Sequence, residues 1–283
     1  MRHAFDPHRR LLLAAIAAAA LPLQRAFAGG CVAPVTNILG PAYRPGAPFR
    51  ARLGAPDEPG TALRMGGRVL DAASCAPLRG AVLDVWQVNQ AGDYDMESAA
   101  FHLRGKLHSD GHGAYAFDTI LPVPYGRRPK HIHYLISRPG YESRITQCYF
   151  DGDPANATDR YVKRELIVTP REARSGLQAL FDIALERERV PSRADVAVYS
   201  DYVGTYRIAE GVTVTNTLLH DRLHWHLSAA EEPGEPLDGV LVARTRTRFF
   251  IAEYDMHVEY VRDEHGRVTH ARSEHGDMFP KVA

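Results

Sequence analysis

Two histidines one residue apart, His131 and His133, are the side chains of this sequence best suited to chemistry. They lie in an apolar run that predicts a strand, and side chains at positions i and i+2 of a strand leave from the same face. Two imidazoles on one face can meet a single metal ion. Taken alone the pair is a weak signal, because two such histidines more often belong to a polar strand face.

The surroundings of this pair strengthen the metal hypothesis. Tyr125 stands six residues before His131, Arg128 leads directly into the pair, and Tyr94 ends the segment that begins at Trp86. Each tyrosine taken singly is more commonly a core or rim residue of a strand, and Trp86 is interpreted as a core residue.

The elements that carry these residues are predicted to be strands. Short apolar runs at residues 81–88, 114–117, 132–136 and 145–150 are separated by turn clusters at 110–113 and 138–140. Strands this short at such spacing indicate an antiparallel β-sandwich. Thr169 to Glu172 then forms a capping box with proline at the first helical position, followed by apolar residues at helical spacing from 177 to 185. The pattern predicts one amphipathic helix that closes the first domain and ends at Pro191.

The last part of the chain is again predicted to be strands and hairpins. Apolar runs occur at residues 212–219, 223–227, 240–243, 249–253, 257–261 and 267–272. An antiparallel meander that closes as a small barrel is the simplest arrangement. Tyr202 to Tyr206, Leu223, Phe249 and the segment 266–268 resemble a lipocalin-like domain. A second pair, His224 and His226, is interpreted as a solvent-facing strand edge. The predicted fold is therefore all-β, with an antiparallel β-sandwich domain (29–193), a linking helix and a barrel-like domain (194–283).

Composition favours a small-molecule partner. The 283 residues include 34 basic and 34 acidic side chains, so the formal net charge is zero. Nucleic-acid binding would leave an excess of clustered Lys and Arg, so the composition argues against that class of partner. The charge and composition are those of an ordinary globular protein.

Residues 1–28 are predicted to be an export signal. Arg9 and Arg10 precede an apolar run of 13 residues, shorter than the roughly 20 that span a bilayer, and a small-residue cleavage site ends at Ala28. The paired arginines favour the twin-arginine pathway and a periplasmic or secreted location. Three cysteines follow, and of the three pairings that an oxidising compartment allows we favour Cys31 with Cys75 over those with Cys148.

Several motifs follow one another over about 85 residues, in the segments 67–71, 77–81, 86–94, 103–105, 118–120, 128–133 and 146–150. Together, and in this order, they resemble the intradiol ring-cleavage dioxygenases, and among them the iron-binding chain of the protocatechuate 3,4-dioxygenases. The resemblance implies cleavage of a catechol-type ring between its hydroxylated carbons by O2, giving a muconate-type diacid.

The resemblance also implies roles for individual residues. Tyr94, Tyr125, His131 and His133 would be the four iron ligands, Arg128 the cation near the substrate ring, and Gln147 a polar residue lining the site. Tyr125 would leave the metal as substrate binds and accept its proton. The chemistry agrees: two tyrosinates at neutral pH need a strong positive charge nearby, and two anionic oxygens with two imidazoles suit Fe(III).

Three questions stay open. The sandwich motifs also occur in transthyretin-like modules, so an exported noncatalytic binding module is the alternative function. Only five residues separate Tyr125 from His131, where members of the family have a longer segment. The pocket wall is therefore expected to be shorter, and the sequence does not determine which catechol is the substrate. The partners expected are a catecholic substrate and O2, without nucleic acid or a stable membrane span. A homo-oligomer is left open.

Overall fold

Two sheets that share one hydrophobic core form the first half of the protein. The computed structural model describes residues 32–174, 176–230 and 235–283, so the predicted export signal lies outside the described residues. The first sheet contains, in spatial order, β3 (Arg104–His108), β2 (Val82–Trp86), β5 (His131–Ser137), β6 (Arg144–Phe150) and β7 (Ile167–Val168). The second contains β10 (Ile183–Leu185), β1 (Ala62–Asp71), β9 (Gly176–Leu180) and β8 (Arg171–Ala173), with β4 (Ala114–Ile120) also paired with β1.

Alternation along β5 explains how the first sheet separates its core from its polar face. Ile132, Tyr134 and Ile136 are fully buried in the core shared with the second sheet. His131 and His133 leave from the opposite face, as the period of two of a strand requires. The predicted all-β sandwich is confirmed, and its pairing is mostly antiparallel, with parallel pairs between β6 and β7 and along β1.

The predicted helix over residues 169–191 is wrong. This segment forms β8, β9 and β10, and β9 pairs in parallel with β1 so that Leu177 lies beside Leu63. The Thr169 hydroxyl donates to Asp151 rather than capping a helix. Phe181, Ala184 and Leu185 are buried, whereas Leu180 is exposed. The segment pairs with a distant strand, so tertiary contacts override the local pattern.

A short helix does join the two halves, but farther along the chain. Helix α1 (Arg193–Tyr199) is the only α-helix in the described residues, and it begins after Pro191. Its capping box pairs the Ser192 hydroxyl with the backbone of Asp195, and the Asp195 carboxylate with the backbone of Ser192. Four short 3-10 helices complete the helical content of the described residues: Pro154–Ala157, Arg164–Leu166, Ser200–Tyr202 and Ala252–Tyr254.

The second half is one antiparallel sheet of eight strands. In order they are β11 (Gly204–Ala209), β12 (Val212–Leu219), β13 (Arg222–Leu227), β14 (Asp238–Ala243), β15 (Arg248–Ile251), β16 (Met256–Arg262), β17 (Val268–Ser273) and β18 (Met278–Pro280). Thr205 on β11 exchanges backbone hydrogen bonds with Val282 and Ala283 just past β18, so the sheet nearly closes. The barrel-like architecture is thus confirmed, while the lipocalin-like resemblance and the boundary at residue 193 stay predictions.

Cys75 is disulfide-bonded, and Cys148 is a buried free thiol. Pairings that include Cys148 are therefore excluded, and Cys31 lies outside the described residues.

Within the described ranges, no helix is both long and apolar enough to cross a membrane.

Candidate metal centre

Four polar side-chain atoms converge on the outer face of the first sheet. The hydroxyl oxygen of Tyr94 lies 2.9 Å from that of Tyr125 and 2.8 Å from Nε2 of His133. Nε2 of His131 lies 3.2 Å from the Tyr125 oxygen, 3.1 Å from Nε2 of His133 and 3.5 Å from the Tyr94 oxygen. The four residues that the sequence singles out as ligands are brought together as one cluster.

Three separate elements deliver these atoms. His131 and His133 come from β5, where they are almost completely buried. Tyr94 follows β2 in the loop that begins at Asn89, whose side-chain oxygen accepts two backbone N–H bonds and so forms the turn. Tyr125 precedes a tight turn.

That turn sets Tyr125 beside Arg128. The two residues exchange backbone hydrogen bonds of 3.2 and 2.8 Å, and Gly126 between them has a φ of +54°. Glycine adopts this left-handed conformation without the steric cost that a Cβ would bring. Residues directly opposite in an antiparallel pair project to one face, so the turn presents a phenol and a guanidinium together.

The donor set fits a metal ion. Atoms that share one ion at bond lengths of about 2 Å lie roughly 3 Å apart, which matches the spacing in this cluster. His131 donates from Nδ1 to the Pro129 carbonyl at 2.7 Å, so its Nε2 lone pair faces the other three atoms. Two phenol oxygens and two imidazole nitrogens form a mixed hard and borderline set that suits ferric iron. The described residues hold no cluster of three or more His, Cys, Asp or Glu arranged to bind a metal.

The electrostatics of the cluster call for an added positive charge. Burial, with help from Arg128, lowers the pKa of His131 to about 3, and burial together with His131 lowers the pKa of His133 well below its usual range. Both imidazoles are therefore neutral and able to bind a metal. Burial raises the pKa of Tyr94 well above 10 and raises the pKa of Tyr125. The phenols would ionise at neutral pH only beside a cation.

Arg128 lies beside the cluster in a network of hydrogen bonds. Its Nε donates to the Asp159 carboxylate at 2.6 Å, and its Nη2 donates to Oε1 of Gln147 at 2.7 Å and to the Tyr149 hydroxyl at 3.0 Å. Burial acts to lower the pKa of Arg128, but the Tyr149 oxygen and the Asp159 carboxylate outweigh it and raise this pKa. The guanidinium is thus permanently charged and fixed in direction.

Sequence reasoning missed three residues that support the site. Asp159 and Tyr149 orient Arg128, and Trp86 stacks on His133 with ring centroids 4.9 Å apart and planes within 9°. Trp86 was interpreted as a core residue, and it is fully buried as well. The pairing register of β2 and β5 is the signal that could have revealed the contact of Trp86 with His133, because the two residues are direct partners on neighbouring strands.

The second histidine pair lies away from this cluster. His226 is exposed and pairs with Asp238 at 2.6 Å, while Leu223 and Trp225 are buried on the other face. The predicted alternation is confirmed, but the pair does not lie at a sheet edge. Its strand, β13, has β12 on one side and β14 on the other.

Comparisons with known proteins point to one family. A family model described as Dioxygenase matches residues 38–187. "Catechol 1,2-dioxygenase 2" from Acinetobacter lwoffii is 37% identical over 142 residues, 42% of this chain and 51% of that protein. "Chlorocatechol 1,2-dioxygenase" from Rhodococcus opacus is 37% identical over 161 residues, 46% of this chain and 62% of that protein. The chain spans about half the length of the curated relatives it matches.

A solved structure gives the same result for the fold. The dioxygenase domain of a dioxygenase and carbohydrate-binding protein fusion from Streptomyces sp. SirexAA-E is 34% identical, with a TM-score of 0.52. The match covers 54% of this chain and 98% of that domain. The remaining residues of the present chain, including the eight-stranded sheet, lie largely outside these matches.

Proposed function

The chain belongs to the dioxygenase family whose model matches residues 38–187, and from this premise we propose that it is an intradiol ring-cleavage dioxygenase. It opens a catechol-type ring between the two hydroxylated carbons with O2, incorporates both oxygen atoms and gives a muconate-type diacid. The observation that carries the proposal is the convergence of Tyr94, Tyr125, His131 and His133, each of which has a side-chain atom within 3.5 Å of at least two of the others.

The proposed cofactor is Fe(III), held by these four side chains. When bound, it would chelate the two catechol oxygens and withdraw electron density, which makes the ring reactive toward O2 without an external reductant. The fully buried imidazoles, one of them fixed by Pro129, would keep their positions throughout.

We assign Tyr125 the task of accepting a proton from the catechol at its hydroxyl oxygen. The Tyr94 oxygen contacts three atoms of the cluster, whereas the Tyr125 oxygen contacts two. Tyr125 also lies next to an exposed turn, at Gly126 and Arg127. Of the two phenols it is therefore the less constrained and the better suited to exchange a proton with substrate.

Arg128 would stabilise negative charge that develops on the ring. Its guanidinium cannot lose its proton at neutral pH, and Gln147 with Tyr149 holds it beside Tyr125. Gln147 keeps its own direction because its amide nitrogen donates to the Ile38 carbonyl at 3.0 Å. Gln147 is thus a lining residue that also orients Arg128.

The proposal is tested by product analysis after loading the protein with ferric iron. Catechol, protocatechuate, hydroxyquinol and substituted catechols are each supplied with ¹⁸O2, and a diacid carrying two labelled oxygens is expected for at least one of them. A single labelled oxygen would indicate a different oxygenase reaction. An iron-loaded protein that consumes no O2 with any member of the panel would favour the alternative, a noncatalytic transthyretin-like binding module.

We also propose export by the twin-arginine pathway to the periplasm or the medium, with removal of residues 1–28. The support is sequence alone: Arg9 and Arg10 ahead of a weakly apolar run. Replacing both arginines with lysine is expected to trap the precursor in the cytoplasm. Unchanged export would indicate the general secretory route.

A further inference from the structure

An irregular segment, Thr36 to Tyr43, crosses the outer face of the first sheet beside the metal centre, and we name it the strap. The Ile38 carbonyl accepts the 3.0 Å hydrogen bond from Gln147. Asn37 donates from its side-chain nitrogen to the Tyr149 hydroxyl at 3.3 Å. The strap therefore bonds to both neutral groups that orient the guanidinium of Arg128.

The strap also reaches the imidazole side of the centre. A Cβ on Gly40 would lie 3.4 Å from Cε1 of His133, so the backbone passes close to the imidazole at this point. The ring of Tyr43 packs against Trp86 with centroids 5.0 Å apart, and Trp86 stacks on His133. The strap is thus a wall of the site along most of its length.

The opposite side of the strap is held by the eight-stranded sheet. The turn after β15 provides the Glu253 carbonyl, which accepts from the Leu39 backbone N–H at 3.1 Å. The carboxylate of Asp255, in the same turn, accepts from the Thr36 hydroxyl and from Lys163 Nζ at 2.5 Å. Lys163 also donates to the Thr36 carbonyl at 2.9 Å. One lysine of the first half and one aspartate of the second therefore grip the same residue of the strap.

We propose that Lys163 and Asp255 are positioning residues that lock the strap as the substrate-side wall of the metal centre. The eight-stranded sheet then has a role in the reaction: its 252–255 turn sets the shape of the pocket although it contributes no ligand. This inference rests on the proposed dioxygenase function. It assigns specificity for the catechol partly to a region outside the matched family model, which ends at residue 187.

The size of the effect follows from what else holds the strap. The Asn37 N–H donates to the Ile145 carbonyl at 2.9 Å, and the Ala42 carbonyl accepts from buried Arg104 at 2.8 Å. These anchors remain when Asp255 is changed, so the strap is loosened near Leu39 and not released. A looser wall weakens contacts made equally in the ground and transition states, which raises KM with little change in kcat.

The test combines hydrogen exchange without substrate and steady-state kinetics with substrate. In Asp255→Asn, which keeps side-chain volume and tolerates the left-handed backbone at φ 50°, the Leu39 amide is expected to exchange roughly five to ten times faster. KM for the best catechol is expected to rise about three- to tenfold, with kcat within about twofold. Lys163→Met, which removes the partner of Asp255 on the first half of the chain, should produce both changes as well. Lys163→Arg keeps the positive charge, so its KM should lie close to that of the wild-type protein.

The matched control is Glu259→Gln, which removes the partner of Arg272 at 2.8 Å in an ion pair between β16 and β17. It should change neither Leu39 exchange nor KM. Equal rates of Leu39 amide exchange in Asp255→Asn and in the unmodified protein would contradict the claim that Asp255 holds the strap in position. Faster exchange with unchanged KM would contradict the claim that the strap forms the substrate-side wall, because a loosened strap would then have no effect on substrate binding. A wild-type protein that turns over no catechol would instead contradict the proposed function, and the exchange data would still report on the lock.

Discussion

Replacing Arg128 with alanine removes the cation that neutralises Asp159, and the structure indicates how costly that is. The Asp159 side chain is only 3% exposed and lies 2.6 Å from the guanidinium, so its carboxylate would be left buried without a countercharge. Breaking a buried pair from one side typically costs about 3–5 kcal/mol. Arg128→Ala is therefore expected to lose about that much free energy of unfolding as well as turnover.

A double-mutant cycle separates the two effects. In an Asp159→Asn background no buried charge is left behind, so Arg128→Ala should cost only about 1–2 kcal/mol, mainly lost hydrogen bonds to Gln147 and Tyr149. The expected coupling is thus roughly 2–3 kcal/mol, measured by urea unfolding followed by tryptophan fluorescence. Costs that add within about 0.5 kcal/mol would refute the reasoning, since independent sites behave that way. Ferric binding should survive in folded Arg128→Ala, because no ligand atom is removed.

Three further predictions concern residues that are not iron ligands. Burial raises the pKa of Asp84 to about 6, whereas the pKa of this carboxyl in the unfolded chain is about 4. As the pH falls below 6, the folded protein therefore takes up a proton before the unfolded chain does. The free energy of unfolding rises as a result, until the pH reaches about 4. Asp84→Asn should therefore stabilise by about 2 kcal/mol at pH 8 and by little at pH 4, and equal gains at both pH values in thermal unfolding would contradict this. Trp86→Leu, which removes the ring stacked on His133, should weaken ferric affinity about tenfold in a chelator competition, whereas unchanged affinity would show that the stack is only structural. Cys75→Ser should cost about 2–4 kcal/mol and match the effect of reductant on the wild-type protein, and a further loss when reductant is added to the variant would not fit.

Much of the fold could be predicted from local patterns. The run at 212–219 matches β12 to the residue, and the runs at 132–136 and 145–150 match β5 and β6 within one residue at the ends. The failure at 169–191 has a physical cause. The segment pairs with β1, more than 100 positions earlier in the chain, and local spacing carries no information about that contact.

The candidate site divides in the same way. His131 and His133 share a strand, so their convergence follows from the period of a strand alone, and the tyrosines were assigned by family resemblance. Asp159 and the strap were missed because they come from irregular segments, in which no periodicity indicates where a side chain points. Asp159 and the strap therefore complete the site through contacts between residues far apart in the sequence, and only the structure shows those contacts.

Ferric titration followed by visible absorption tests the central claim most directly. If Tyr94 and Tyr125 bind Fe(III) as tyrosinates, one iron per chain should produce a broad visible band and a red to burgundy colour, because phenolate electrons are promoted into the metal's d shell. Tyr94→Phe and Tyr125→Phe should each weaken the band, since each removes one anionic ligand while keeping the ring. A protein that stays colourless at full ferric loading, or a band of full intensity in both variants, would contradict the assignment of the metal centre.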